Sequence, residues 1–295
     1  MKNLFLSIFV VSLLAACSKK EQPPLEQDKI EMASIKVEDT IALNQNINVE
    51  VNANGTGTPY TYIYHLEKQG VDKGTIANTD GKAAISTKGL AAGQYSLDIL
   101  IKSKNGTFVQ NSKPITILNP DFGVALFGNS KEKVLETEKL VNKNEPYQAL
   151  IGFESKWKDI SGIEKVQFRN GNNVENYVYY FLNNKLIAGE AFVPEVTNCY
   201  ATYDSVKKKY NSYFNGFPEV LATFKEFSGY EYTVLYNAGD YLSISNYIRN
   251  GQFTENASWK NTIYPYYVKG YGNAYIKVGS QNKVYTHFEI GLSSN

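Results

Sequence analysis

The chain is 295 residues long, carries 30 Lys and Arg against 29 Asp and Glu, and has only two residues each of Cys, His, Met and Trp. So even a balance leaves no basic stripe for nucleic acid, and two His in separate segments argue against a His-based metal cluster or a Ser-His-Asp triad. Neither a metal nor an organic cofactor is expected, and the length leaves room for two ordinary domains.

The chain opens with Met1-Lys2-Asn3 and an apolar run over residues 4–16, shorter than the ~20 residues that cross a bilayer. The run ends in Leu14-Ala15-Ala16-Cys17 and is followed by Ser18-Lys19-Lys20-Glu21. This pattern reads as an export signal, residues 1–16, and not as a membrane span. The tetrad resembles the lipobox of bacterial lipoproteins, specifically of exported Bacteroidota-like ones. That resemblance implies cleavage before Cys17, a diacylglycerol on its sulfur and an acylated new N-terminus. Two or more acyl chains anchor stably, each buried CH₂ contributing ~0.8 kcal/mol. The membrane is therefore expected as a partner through lipid, at the outer membrane, with the periplasmic or outward face left open. With Cys17 acylated, Cys199 stands alone: no intramolecular disulfide can form, and Cys199 is expected to be a half-buried structural residue.

Residues 17–33 are polar, contain Pro23-Pro24 and read as a tether. Over 34–118 short alternating runs recur between turn clusters at Asn54-Gly55, Thr79-Asp80-Gly81 and Asn105-Gly106, which predicts a β-sandwich. Leu90-Ala91-Ala92-Gly93-Gln94-Tyr95 resembles the entry to a late strand of immunoglobulin-like domains, and implies a Tyr95 hydroxyl turned back onto upstream backbone. Asn119-Pro120 ends the sandwich, and 119–129 reads as a linker.

The rest, 130–295, holds most of the Tyr: 19 of the 23 lie at or after Tyr147. It reads as an α+β domain with an antiparallel sheet and two helices. The first helix is capped at Asn129, with Glu132 at its third position and Val134, Leu135 and Val141 on its buried side. The segment from Phe127 to Glu132 with Val134 resembles the opening of small α+β modules in Bacteroidota lipoproteins. The second helix spans about 198–215, with Tyr200, Tyr203, Val206, Tyr210 and Phe214 at helical spacing. Strands are predicted elsewhere, including 230–236, where Tyr230, Tyr232, Val234 and Tyr236 alternate, and the following YLSISNYI. The fold class is thus β-rich and multidomain, an immunoglobulin-like sandwich followed by an α+β domain.

Candidate site residues are few. Asp39-Thr40-Ile41 and Asp204-Ser205-Val206 resemble the Asp-Ser/Thr-aliphatic acceptor of O-glycosylation in exported Bacteroidota proteins, implying Thr40 and Ser205 as acceptors. Trp259, Tyr264 and Tyr266, beside Pro265, could present rings to a sugar, with Trp157 and Tyr267 in similar sequence. Glu154, Glu175, Glu190, Glu231 and Asp240 are the carboxylates available to a glycoside-acting enzyme, but nothing in the sequence pairs them. The expected function is non-catalytic: a lipid-anchored binding or scaffold protein, the sandwich a spacer and the C-terminal domain a protein-binding module. The alternatives are a glycan-binding surface lipoprotein and an enzyme using paired carboxylates.

Overall fold

The structure, a computed structural model, describes residues 27–142, 146, 157, 159–169, 176–194, 197–260, 262–263, 268–278 and 284–292. The N-terminal strands are β1 (Ile30–Lys36), β2 (Thr40–Ala42), β3 (Asn46–Gly55), β4 (Thr61–Lys68), β5 (Val71–Asn78), β6 (Lys82–Ser86), β7 (Gly93–Lys102) and β8 (Phe108–Leu118). They form a three-stranded sheet, β1-β3-β6, and a five-stranded sheet, β2-β8-β7-β4-β5. β2 runs parallel to β8, with Thr40, Ile41 and Ala42 opposite Thr116, Ile117 and Leu118. Alternate residues of β7, from Tyr95 to Ile101, are buried, the period a strand with one covered face requires. Tyr95 is buried and its hydroxyl donates to the Ala91 carbonyl at 2.7 Å. The expected tyrosine corner is present, in an immunoglobulin-like sandwich.

The C-terminal part contains α1 (Lys131–Val141), β9 (Ile163–Arg169), β10 (Asn176–Leu182), β11 (Lys185–Pro194), α2 (Cys199–Tyr213), β12 (Glu219–Phe224), α3 (Gly229–Asn237), α4 (Tyr241–Arg249), β13 (Phe253–Trp259), β14 (Thr262–Ile263), β15 (Val268–Val278) and β16 (Val284–Leu292). Its sheet is antiparallel in the order β12-β13-β15-β16-β11-β10-β9, with β14 on β15. One large core, from Phe122 to Ile290, lies between this sheet and the helices.

Four helices are thus present among the described residues, where two are expected. α2 begins at the predicted Asn198, whose side chain accepts from the Ala201 N–H. α1 is capped one residue later than expected, by Ser130. Asn129 instead accepts from the Leu126 N–H and from the Gln45 side chain. Val141 is exposed, and Thr137 and Glu138 take the buried side with Val134. The alternating tyrosines of 230–236 form α3, and YLSISNYI is contained in α4. The physical reason is capping. Ser228 accepts from the Glu231 N–H while Glu231 reaches back to the Ser228 N–H, a reciprocal box that nucleates a helix. Asp240 caps α4 by accepting from the Ser243 N–H. The Tyr-lined sheet face expected over 230–236 is therefore absent; Tyr232, Leu235 and Tyr236 pack on the core from a helix.

The segment 121–127, read as linker, is packed. Phe122 sits edge-on against Tyr179 with centroids 5.4 Å apart. A Cβ at Gly189 would lie 2.0 Å from the Phe122 ring, so that close approach needs glycine. Contacts divide the chain into two compact units. One takes the chain through Val37 with Val49–Ala83 and Leu97–Lys113; the other comprises Glu38–Asn48, Ala84–Ser96 and Pro114–Asn295.

Candidate functional site

Cys17, Tyr264 and Tyr266 lie outside the described residues, as do Glu154, Glu175 and Tyr267. Thr40 is exposed at the start of β2, on a cleft of about 600 Å³ that Glu38, Leu118, Phe127, Ser130 and Lys133 also line. Glu38 and Lys133 form an ion pair there. Ser205 is exposed on α2. Both candidate residues, Thr40 and Ser205, are thus exposed.

Trp259 does not form a platform. It is 1 % exposed, with its Nε1 donating to Asn211 at 3.0 Å and its ring stacked on Phe214 at 17° and edge-on to Tyr210. The reason is strand alternation: Phe253, Glu255, Ala257 and Trp259 all face α2 and the core. Trp157 is likewise buried, against Tyr271.

The carboxylates are mostly spent on structure. Glu231 completes the capping box of α3 and Asp240 caps α4, as described above. Each carboxyl is held below its ordinary pKa by hydrogen bonds, Glu231 to Ser228 and Asp240 to Ser243. Glu190, fully buried on β11, accepts from the Tyr180 hydroxyl at 2.8 Å and pairs with His287 Nε2. Glu289 is directly opposite Glu190 across β11 and β16. Burial, with Glu289 nearby, pushes the Tyr271 phenol up to about 12. Two carboxylates thus face each other on adjacent strands, but neither is open to solvent (0 % and 6 % exposed), so a saccharide has no approach to them.

Under the helices, Glu255 collects Lys207 Nζ at 2.7 Å and the hydroxyls of Tyr203 at 3.0 Å and Tyr232 at 3.4 Å. Asp204 collects Tyr236 and Tyr241, each at 3.1 Å, and Lys208 at 2.7 Å. Burial, then the nearby Glu255 charge, raises the phenol pKa values of Tyr200 and Tyr203. These protonated phenols are donors that satisfy a buried carboxylate, the requirement for keeping a charge inside a fold. Much of the Tyr excess is accounted for in this way. Cys199 is buried and its thiol pKa is raised by burial, the opposite of an activated nucleophile.

The surface that remains unexplained by packing is apolar. Every residue of β12 is exposed, and α3 buries none of its residues. Phe217, Val220, Leu221, Phe224, Tyr230, Val234 and Leu242 account for seven of the eleven large exposed hydrophobics among the described residues. Among the described residues, β12 ends the sheet order and pairs with β13 alone. An open edge of this kind presents unpaired N–H and C=O groups as a template for another strand. The residues of β12 read as a strand in the sequence, but their exposure does not, because strand propensity does not say which neighbour is missing.

No protein-family description matches the chain, and no curated protein matches it. Solved structures to which the chain is similar include one from a study of "the promiscuous specificity of the carbohydrate-binding modules from the beta-sandwich super family". It is 10 % identical, covers 92 % of this chain and 94 % of its own, and has a TM-score of 0.28. A Bacteroides ovatus protein, SGBP-B of a mixed-linkage glucan utilization locus, in complex with a mixed-linkage heptasaccharide, is 18 % identical over 57 % of this chain and 44 % of its own, at a TM-score of 0.23. Fibronectin(III)-like modules of Clostridium thermocellum CbhA are 10 % identical over 56 % and 84 %, also at 0.23. At these scores the likeness assigns no ligand to this chain, which remains a β-rich protein without a shown family.

Proposed function

We propose that this chain is a non-catalytic binding protein, lipid-anchored through Cys17 at the outer membrane, whose C-terminal domain docks a protein partner along β12. The observation that carries the reading is the concentration of exposed hydrophobics over residues 217–242, around a sheet edge that pairs with no further strand among the described residues. Contiguous exposed apolar surface marks interaction sites, and strand addition draws affinity from main-chain hydrogen bonds. A photo-crosslinking side chain at Leu221 in intact cells is expected to form a protein adduct, identifiable by mass spectrometry, that the same probe at exposed Val71 does not form. Radiolabelled palmitate is expected to enter the wild type and not Cys17→Ser. No adduct at Leu221 removes the docking reading, and equal labelling removes the anchor.

The glycan alternative keeps Tyr264 and Tyr266, on either side of Pro265, as its platform; Trp259 leaves it because its ring is enclosed. Calorimetric titration with envelope and host glycans distinguishes this alternative: saturable heat that Tyr264→Ala and Tyr266→Ala abolish would favour it over the protein partner.

A further inference from the structure

We propose that the partner taken up by β12 is a second copy of this chain, paired antiparallel about a two-fold axis at Ala222; this rests on the docking reading above and names its occupant. Lys225 N–H donates to the Gln252 carbonyl at 2.9 Å, continuing the unshifted register of β12 on β13. In an antiparallel ladder, residues that bond one neighbour alternate with residues that bond the other. Glu219, Leu221, Thr223 and Lys225 therefore turn their backbone groups towards β13. Val220, Ala222 and Phe224 turn theirs to the open edge. Pro218, the next position in the outward series, has no N–H, so the series is bounded at Val220 and its midpoint is Ala222.

Two such edges meet productively only when outward residues face outward residues. With Ala222 opposite Ala222 of the second copy, Val220 faces Phe224 and Glu219 faces Lys225, each twice by symmetry. The first pair joins two apolar side chains that are 45 % and 39 % exposed in the single chain. It lies on the face where Phe224 stacks on Phe253 at 5.1 Å. The second pair joins exposed opposite charges, a favourable cross-strand arrangement. Sliding the copies by one residue sets inward groups against outward ones and forms no ladder. Sliding by two sets Leu221 opposite Lys225, or Glu219 opposite Thr223, and loses both charge pairs. The self-complementary register is the isologous geometry of a two-fold dimer.

Sedimentation of the full-length chain in detergent, with detergent mass subtracted, is expected to show twice the protomer mass at micromolar concentration. Ala222→Pro removes an N–H that faces away from β13, so it should restore the protomer mass with an unchanged circular dichroism spectrum. Glu219→Lys should weaken pairing about tenfold, and adding Lys225→Glu in the same chain should restore it. A protomer mass at every concentration, a doubled mass that survives Ala222→Pro, or no rescue in the charge swap overturns the proposal. If the mass stays that of a protomer while the Leu221 probe captures a different identified protein, the second copy falls and the docking reading stands; if neither occurs, both fall.

Discussion

Trp259 holds Asn211 with its indole nitrogen and packs against Phe214 and Tyr210. It belongs to the core, and Trp259→Ala should cost about 3–5 kcal/mol of stability, the usual range for truncating a buried aromatic. Denaturant unfolding checks this; a near-neutral effect would mean that the ring contributes little to packing. The sequence could not distinguish the two roles. Lys260, Asn261 and the nearby Pro265 make the surroundings look like a loop, whereas the position is set by the alternation of β13. Glu190 was equally opaque: its partners Tyr180 and His287 are 10 and 97 residues away, and no local pattern connects them. Tyr95 was legible because its acceptor, Ala91, is four residues upstream in the same short motif.

α3 and α4 lie where two periodicities compete. Tyr230, Tyr232, Val234 and Tyr236 fit a period of two, and Tyr232, Leu235 and Tyr236 fit a helical face. The signal that decides between them, Ser228 followed three residues later by Glu231, was present in the sequence and points to a helix. Asp240 caps α4 with a carboxylate held below its ordinary pKa by its hydrogen bonds to Ser243. A carboxyl whose pKa is depressed by folding adds stability above its unfolded value, and loses it as pH falls through the folded one. Asp240→Asn keeps a capping acceptor but removes the charge. The melting-temperature gap between it and wild type near neutral pH should therefore close as pH drops below about 4. A gap independent of pH would mean that the charge contributes nothing. α2 is legible in the sequence because its aromatic stripe and its Asn198 cap agree.

Among the described residues, the C-terminal core is drawn from Phe122 onward, although the unit that contains it also takes in Glu38–Asn48 and Ala84–Ser96. The buried Gln45 side chain donates to the Val124 carbonyl at 3.3 Å and to Asn129 at 2.9 Å. A fragment beginning at Asp121 is therefore expected to fold, by circular dichroism, but to melt below the intact chain because these bonds are lost. An unfolded fragment would mean that the core cannot form without the upstream segments. The parallel pairing of β2 with β8 has a further consequence, under load. Thr116 N–H donates to the Asp39 carbonyl at 2.7 Å, and Leu43 N–H donates to the Leu118 carbonyl at 2.8 Å, so the two strands are laced along their length. Tension applied between the chain before β2 and the chain after β8 pulls parallel neighbours in opposite directions along their own axes. Every bond of the lace is then strained together in shear, whereas a hairpin pulled from its open end would unzip one bond at a time.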